Sequence, residues 1–191
     1  MFIQTETTPN PATLKFLPGE IVIGEGTAEF KDEESAVSSS PLAARLFDVP
    51  GVTGVFFGYD FVTVTKDEQT AWQHIKPAIL GAIMEHFMSG EPVMASAAKT
   101  AGSGAEGEEF FDKDDAPLVE QIKELLDTRV RPAVAQDGGD ITFRGFRDGV
   151  VYLNMKGACA GCPSSTATLK HGIQNLLRHF VPEVQEVEQV V

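Results

Sequence analysis

Residues 137–165 read DGGDITFRGFRDGVVYLNMKGACAGCPSS, and this stretch decides the fold of the C-terminal part of the chain. Asp137-Gly138-Gly139-Asp140 reads as a turn. Ile141 and Phe143, with Phe146, begin a strand. Asp148-Gly149 forms a hairpin turn, and Val150–Met155 runs back. A loop of small residues carrying Cys159 and Cys162 follows, and Pro163 suits the first position of a helix, where a missing N–H costs nothing. Downstream, Leu169, Ile173, Leu176, Leu177 and Phe180 recur at helical spacing, and Val184, Val187 and Val190 are placed to close the sheet. Upstream, Val119, Ile122, Leu125, Leu126 and Val130 give one apolar helix face, expected to end near Pro132. The order helix–strand–strand–helix–strand predicts a small α+β domain over residues 117–191 with its helices on one sheet face.

Before this domain, residues 89–116 contain a run of Ala, Ser and Gly and then the acids Glu108, Glu109, Asp112, Asp114 and Asp115. Small residues and like charges bury too little apolar surface to offset the entropy of ordering, so the stretch reads as a flexible linker. Phe110 and Phe111 are exceptions, suited to docking on a domain. Residues 1–88 mix both periodicities. Thr8-Pro9-Asn10-Pro11 reads as a turn and Thr13–Leu17 as a strand. Ser40-Pro41 starts a short helix running to Phe47. Val52–Phe57 and Phe61–Thr65 flank a hairpin turn at Gly58-Tyr59-Asp60, and an amphipathic helix runs over Thr70–Met88, with Pro77 inside it as a kink or a later start. Two small α+β domains joined by an acidic Gly-Ala-Ser linker are therefore expected.

The chain has 191 residues, of which 42% are hydrophobic, and a formal charge of −13. That length and composition support cores without staples. The charge repels phosphate backbones and argues against a nucleic-acid partner; it keeps the chain soluble or steers it towards a basic protein. No stretch approaches the ~18 apolar residues of a membrane helix. The first eight residues lack the basic start and apolar run of a signal peptide, so the bacterial cytoplasm is expected, with the mitochondrial matrix as the alternative if a presequence has been removed.

The chain's two cysteines, Cys159 and Cys162, are too few and too close for a disulfide framework. Two intervening residues let both sulfurs face one centre, and the helix start favours thiolate. Four readings follow. Inert core thiols fit poorly in a glycine-rich loop. A zinc site wants four ligands, but His171 lies roughly 13 Å along the helix at ~1.5 Å per residue. His179 is farther, and His74 and His86 lie across the linker; all four are read as solvated or structural. A thioredoxin-like pair would have an aromatic residue where Ala158 stands. An iron–sulfur cluster needs four thiolates, which two chains together would supply.

Further residues carry a resemblance. Arg131-Pro-Ala-Val-Ala-Gln-Asp-Gly-Gly-Asp140, with Gly157–Ser165, resembles the C-terminal domain of NifU, which defines the Nfu (NifU-like) family. Thr8-Pro9-Asn10-Pro11, Leu14-Lys15-Phe16, Ser40-Pro41-Leu42-Ala43, Val55-Phe56-Phe57-Gly58 and Asp60-Phe61-Val62-Thr63-Val64 resemble that family's N-terminal domain. The resemblance implies that Cys159 and Cys162 bind a cluster, most often [4Fe–4S] and alternatively [2Fe–2S], bridging two copies of the chain. It implies a carrier, not an enzyme, that takes clusters from assembly donors and passes them to apo-proteins, with the cysteine-free N-terminal domain in a supporting role. It does not extend to the cysteine-rich scaffold and ferredoxin-like domains of NifU itself. Two rivals stay open: a thiol–disulfide oxidoreductase using the same pair, and an adaptor with a structural metal. Lys15 and Arg45 are read as solvated surface, and Phe47, Trp72 and Phe87 as core.

Overall fold

Alternation of Leu14, Phe16, Val55, Phe57, Val62 and Val64 with polar or outward-facing neighbours sets the sheet of the N-terminal unit. In the computed structural model, which describes residues 1–95, 108–161 and 163–190, the chain divides into two units, Met1–Ala105 and Glu106–Val191. The first holds β1 (Gln4–Thr7), β2 (Thr13–Leu17), β3 (Ala28–Phe30), β4 (Val52–Phe57) and β5 (Val62–Lys66). They form an antiparallel sheet in the order β1-β2-β5-β4-β3. Its apolar face joins one core with α1 (Glu33–Ser39), α2 (Pro41–Phe47) and α3 (Trp72–Ser89), through Ala36, Leu42, Leu46, Ile75, Ile79 and Ile83. Phe47, Trp72 and Phe87 are partly buried and pack against that core. Ser40 caps α2 by accepting from the Ala43 N–H at 3.0 Å, an interaction that stabilises by about 1 kcal/mol. Pro77 lies inside α3, which starts at Trp72 and continues past the proline to Ser89.

Lys15 is not the solvated residue expected of it. Glu6, Lys15, Thr63, Phe56 and Glu29 stand opposite one another on successive strands, one rung across all five. Lys15 is 7% exposed. Its ammonium lies 3.5 Å from Glu6 and 4.8 Å from the centre of the Phe61 ring, so a carboxylate and a π-face replace part of its hydration. Arg45 also has partners, reaching Glu85 at 3.3 Å and Glu91 at 2.9 Å.

The second unit follows the expected order. It contains α4 (Ala116–Leu125), α5 (Arg131–Gln136), β6 (Gly139–Arg147), β7 (Val150–Gly157), α6 (Pro163–Phe180) and β8 (Glu186–Val190). The sheet order is β6-β7-β8. β6 and β7 form an antiparallel hairpin, while β8 returns parallel to β7 after the crossover through α6, the length of connection a parallel pair requires. Val119, Ile122, Leu126, Val134, Ile141, Leu153, Leu177 and Val187 belong to one core. The first helix does not end near Pro132. A π-helical turn over Leu126–Val130 re-phases the chain, and Pro132 falls in the first turn of α5, where its missing N–H leaves no bond broken. The turn at Asp137 is also shorter than expected, since β6 already begins at Gly139.

Within the stretch 89–116 expected as a linker, residues 96–107 lie outside the described residues. Both described ends are packed. Val93 O accepts from Ser40 Oγ and Ala95 N–H donates to Ser39 O. Phe110 bridges to Gly145, and a 3-10 turn over Lys113–Asp115 leads into α4.

Candidate functional site

The turn between α5 and β6 and the cysteine loop after β7 form one structure. Gly139 pairs with Gly157 at the end of the β6–β7 ladder, and the Ala158 N–H donates to Gly138 O at 3.2 Å. Gly138 and Gly157 have φ of 82° and 65°, left-handed values that a Cβ would disfavour. A side chain on Gly139 would meet Cys159 Sγ at 2.6 Å and Lys156 O at 2.7 Å. The DGGD stretch is therefore the floor against which the first cysteine rests. The sequence offers this role for Asp137–Asp140 only as the less favoured alternative to a plain turn, because a turn signal says little about what lies on the turn.

Cys159 is 6% exposed and belongs to the hydrophobic core of the unit. Its carbonyl accepts from Thr166 Oγ1 at 3.1 Å, tying the loop to the first turns of α6. The expectation that the helix start would favour thiolate fails for this residue. It sits in a turn four positions before Pro163, sheltered from water. Burial, with the carboxylates of Asp137 and Asp140 adding to it, pushes the thiol up to about 12, because removing solvent and adding negative charge both penalise the anion. Cys162 lies outside the described residues. Of the histidines set aside as ligands, His74, His171 and His179 are exposed, and His86 is fully buried in the other unit.

A half-buried ion pair holds the end of this floor. Asp140 is 4% exposed. Arg131 Nε and Nη2 donate to its two carboxylate oxygens at 2.9 Å each, and Nη1 donates to Asp127 at 3.0 Å. The planar fork matches the carboxylate in a way a lysine could not, and the pairing raises the arginine's pKa above its ordinary value. Asp140 also accepts from the Ile141 N–H at 2.8 Å. In the sequence Arg131 stands out only as part of a motif. Its pairing with a residue nine positions on depends on the π turn and α5, which carry it back over the start of β6.

Cys159 rests on a glycine floor among the small residues Ala158, Ala160 and Gly161, and its thiolate could serve as a soft metal ligand. The family described as "Scaffold protein Nfu/NifU N terminal" matches residues 3–90, and the "NifU-like domain" matches residues 122–188. The chain belongs to the Nfu (NifU-like) family. Relatives named "NFU1 iron-sulfur cluster scaffold homolog, mitochondrial" include those of Drosophila erecta, 52% identical over 190 residues, and Drosophila virilis, 50% identical. Both matches take in 100% of this chain, which spans 65% and 62% of those proteins' lengths. Among solved structures, a NifU-like protein of Saccharomyces cerevisiae is 33% identical, with a TM-score of 0.46, covering 50% of this chain and 86% of that one. A Staphylococcus aureus protein is 24% identical, with a TM-score of 0.38, covering 44% and 99%.

Proposed function

We propose that the chain is an iron–sulfur cluster scaffold and carrier whose cargo is held by Cys159 and Cys162. The observation that supports this most is the pairing of the two family matches, one per unit, with the first cysteine of a C-x-x-C stretch seated on a glycine floor. Two thiolates are half of what a cluster needs, so the cargo is a [4Fe–4S] cluster shared by two copies of the chain, with [2Fe–2S] as the alternative. Donor assembly proteins supply it and apo-proteins receive it. In the handover, acceptor thiolates replace Cys159 and Cys162 at iron one at a time, and Cys159 takes up a proton as it returns to its buried position. The division into domains 1–88 and 117–191 with a connector between belongs to the same reading. The mitochondrial label of the relatives favours the mitochondrial alternative, and nothing in those names favours the bacterial cytoplasm.

The role is binding and transfer, not catalysis. Cys159 is 6% exposed, whereas redox-active cysteines are exposed to their substrates, which favours the carrier over the oxidoreductase rival. The test is native mass spectrometry of anaerobically isolated protein. A dimer carrying four irons and four sulfides, absent from Cys159→Ser/Cys162→Ser protein, is expected. A metal-free monomer that resists reconstitution, or a dimer with one zinc, overturns the reading.

A further inference from the structure

We propose that the edge of β6 around Gly145 is a docking slot for an extended, acidic, aromatic segment of a partner protein, and that Phe110 is its resident intramolecular occupant. β6 is an edge strand of its sheet, a position that presents unpaired backbone groups to any strand that fits. The chain's own Phe110 occupies this edge in parallel with Gly145. Its N–H donates to Arg144 O at 3.1 Å, and its carbonyl accepts from the Phe146 N–H at 2.9 Å.

The slot is shaped for a ring. The β6–β7 register slips between Phe143 and Gly145, as at a β-bulge. A Cβ on Gly145 would lie 2.5 Å from the Phe110 ring. Only glycine leaves that space. The ring lies 5.1 Å from the Tyr152 ring, and the Arg147 guanidinium sits 5.3 Å from its centre. The residue before it, Glu109, pairs with Lys123, and the residue after it, Phe111, meets Phe143 ring to ring at 6.5 Å. The occupant thus defines the ligand: an extended backbone, an aromatic anchor, and a carboxylate on its N-terminal side. Backbone bonds with side-chain pockets at alternate positions are the ordinary mode of strand addition.

The occupant is short, and it is incompletely covered: the Phe110 ring is half-buried and Phe111 stays 38% exposed. The slot also lies six residues along β6 from Gly139, roughly 20 Å at ~3.3 Å per residue. A partner seated there leaves the cysteine loop uncovered. The inference concerns the metal-free chain and stands apart from the cargo reading.

The test uses full-length, metal-free protein and a fluorescein-labelled peptide with the sequence of Glu108–Ala116, followed by anisotropy. The Phe110→Ala chain is expected to bind the peptide saturably and at least tenfold more tightly than wild type, whose slot is filled. Adding Gly145→Val is expected to abolish the gain. Equal binding by wild type and Phe110→Ala, or binding indifferent to Gly145→Val, overturns the proposal. If circular dichroism shows that Phe110→Ala does not fold, hydrogen exchange on wild type decides. The Phe146 amide is expected to exchange well before the amides of β7, and exchange only with global unfolding makes Phe110 a fixed brace and overturns the slot.

Discussion

A Cβ placed on Gly139 would lie 2.6 Å from the sulfur of Cys159. The turn and the cysteine loop are therefore in contact with no room between them. Gly139→Ala forces the loop outward. Overpacking of this kind costs about 1–3 kcal/mol, so a lower melting temperature for the C-terminal unit is expected. Faster alkylation of Cys159 in the folded, metal-free chain is expected with it. An alanine variant as stable as wild type, with Cys159 equally slow to react, contradicts the contact.

Arg131→Ala leaves the Asp140 carboxylate buried without its fork. Breaking a fully buried pair costs roughly 3–5 kcal/mol. The Arg131 side chain is 37% exposed and water can partly replace it, so a loss of about 1–3 kcal/mol is expected. Arg131→Lys is expected to recover less than half of this, because an ammonium cannot engage both oxygens. Asp140→Asn on the Arg131→Ala background is expected to recover part of the loss by removing a buried charge. Urea unfolding of wild type, these three variants and Asp140→Asn alone checks the series; additive losses in the double variant argue against coupling.

What was legible in the sequence is what periodicity and local chemistry encode. Thr13–Leu17, the Ser40-Pro41 helix start, the β4–β5 hairpin and the whole order of the second unit rest on alternation, caps and turn residues close together in the chain, and the structure repeats them. The misses have longer-range causes. β3 is three residues long, and α1 carries only Ala36 into the core, so neither leaves a periodic trace. Lys15 is buried because four other strands align a rung around it. Pro132 reads as a helix end because a π turn is not written in apolar spacing. At the site, the burial of Cys159 was not legible in the spacing: it depends on Gly139 and on the core, both set by pairing across the hairpin.

His86 on α3 is fully buried, and neither ring nitrogen has a hydrogen-bond partner of ordinary geometry. Burial, then the nearby Arg45 guanidinium, pushes its pKa below the ordinary value, while Glu91 opposes part of the shift through its charge and backbone. A depressed folded pKa means that the unfolded chain takes up the proton first. Stability is complete above the ordinary histidine value of about 6.5 and is lost as pH falls below it. The N-terminal unit is therefore expected to lose stability as pH falls below about 6.5. Trp72, the chain's single tryptophan, reports its unfolding by fluorescence. His86→Phe is expected to flatten the dependence over that range; an unchanged slope places the titration elsewhere.

Cys159 gives the opposite sign. Its thiol is pushed up to about 12 from an ordinary value near 9, so its contribution to stability is complete below about pH 9 and is lost as pH rises towards 12. A thiol raised that far has a ~1,000-fold smaller thiolate fraction at neutral pH. Even allowing for the greater intrinsic nucleophilicity of a more basic thiolate, alkylation of Cys159 at pH 8 is expected to be at least ~30-fold slower in the folded chain than in urea. Asp137 is exposed and acts on the thiol through charge alone. Asp137→Asn is thus expected to quicken the reaction a few-fold without changing the melting temperature, and ~1 M salt to quicken wild type in the same sense by screening. Binding iron requires the same proton to leave, so anaerobic cluster loading is expected to rise with pH and with Asp137→Asn in parallel with alkylation. Mass spectrometry of the Cys159 peptide over pH 7–10, beside the loading rate, is the measurement. Loading that ignores pH and Asp137 while alkylation follows both would mean that the loop turns Cys159 into solvent before iron arrives, and the buried thiol would then be a resting position, not the state that meets the cargo.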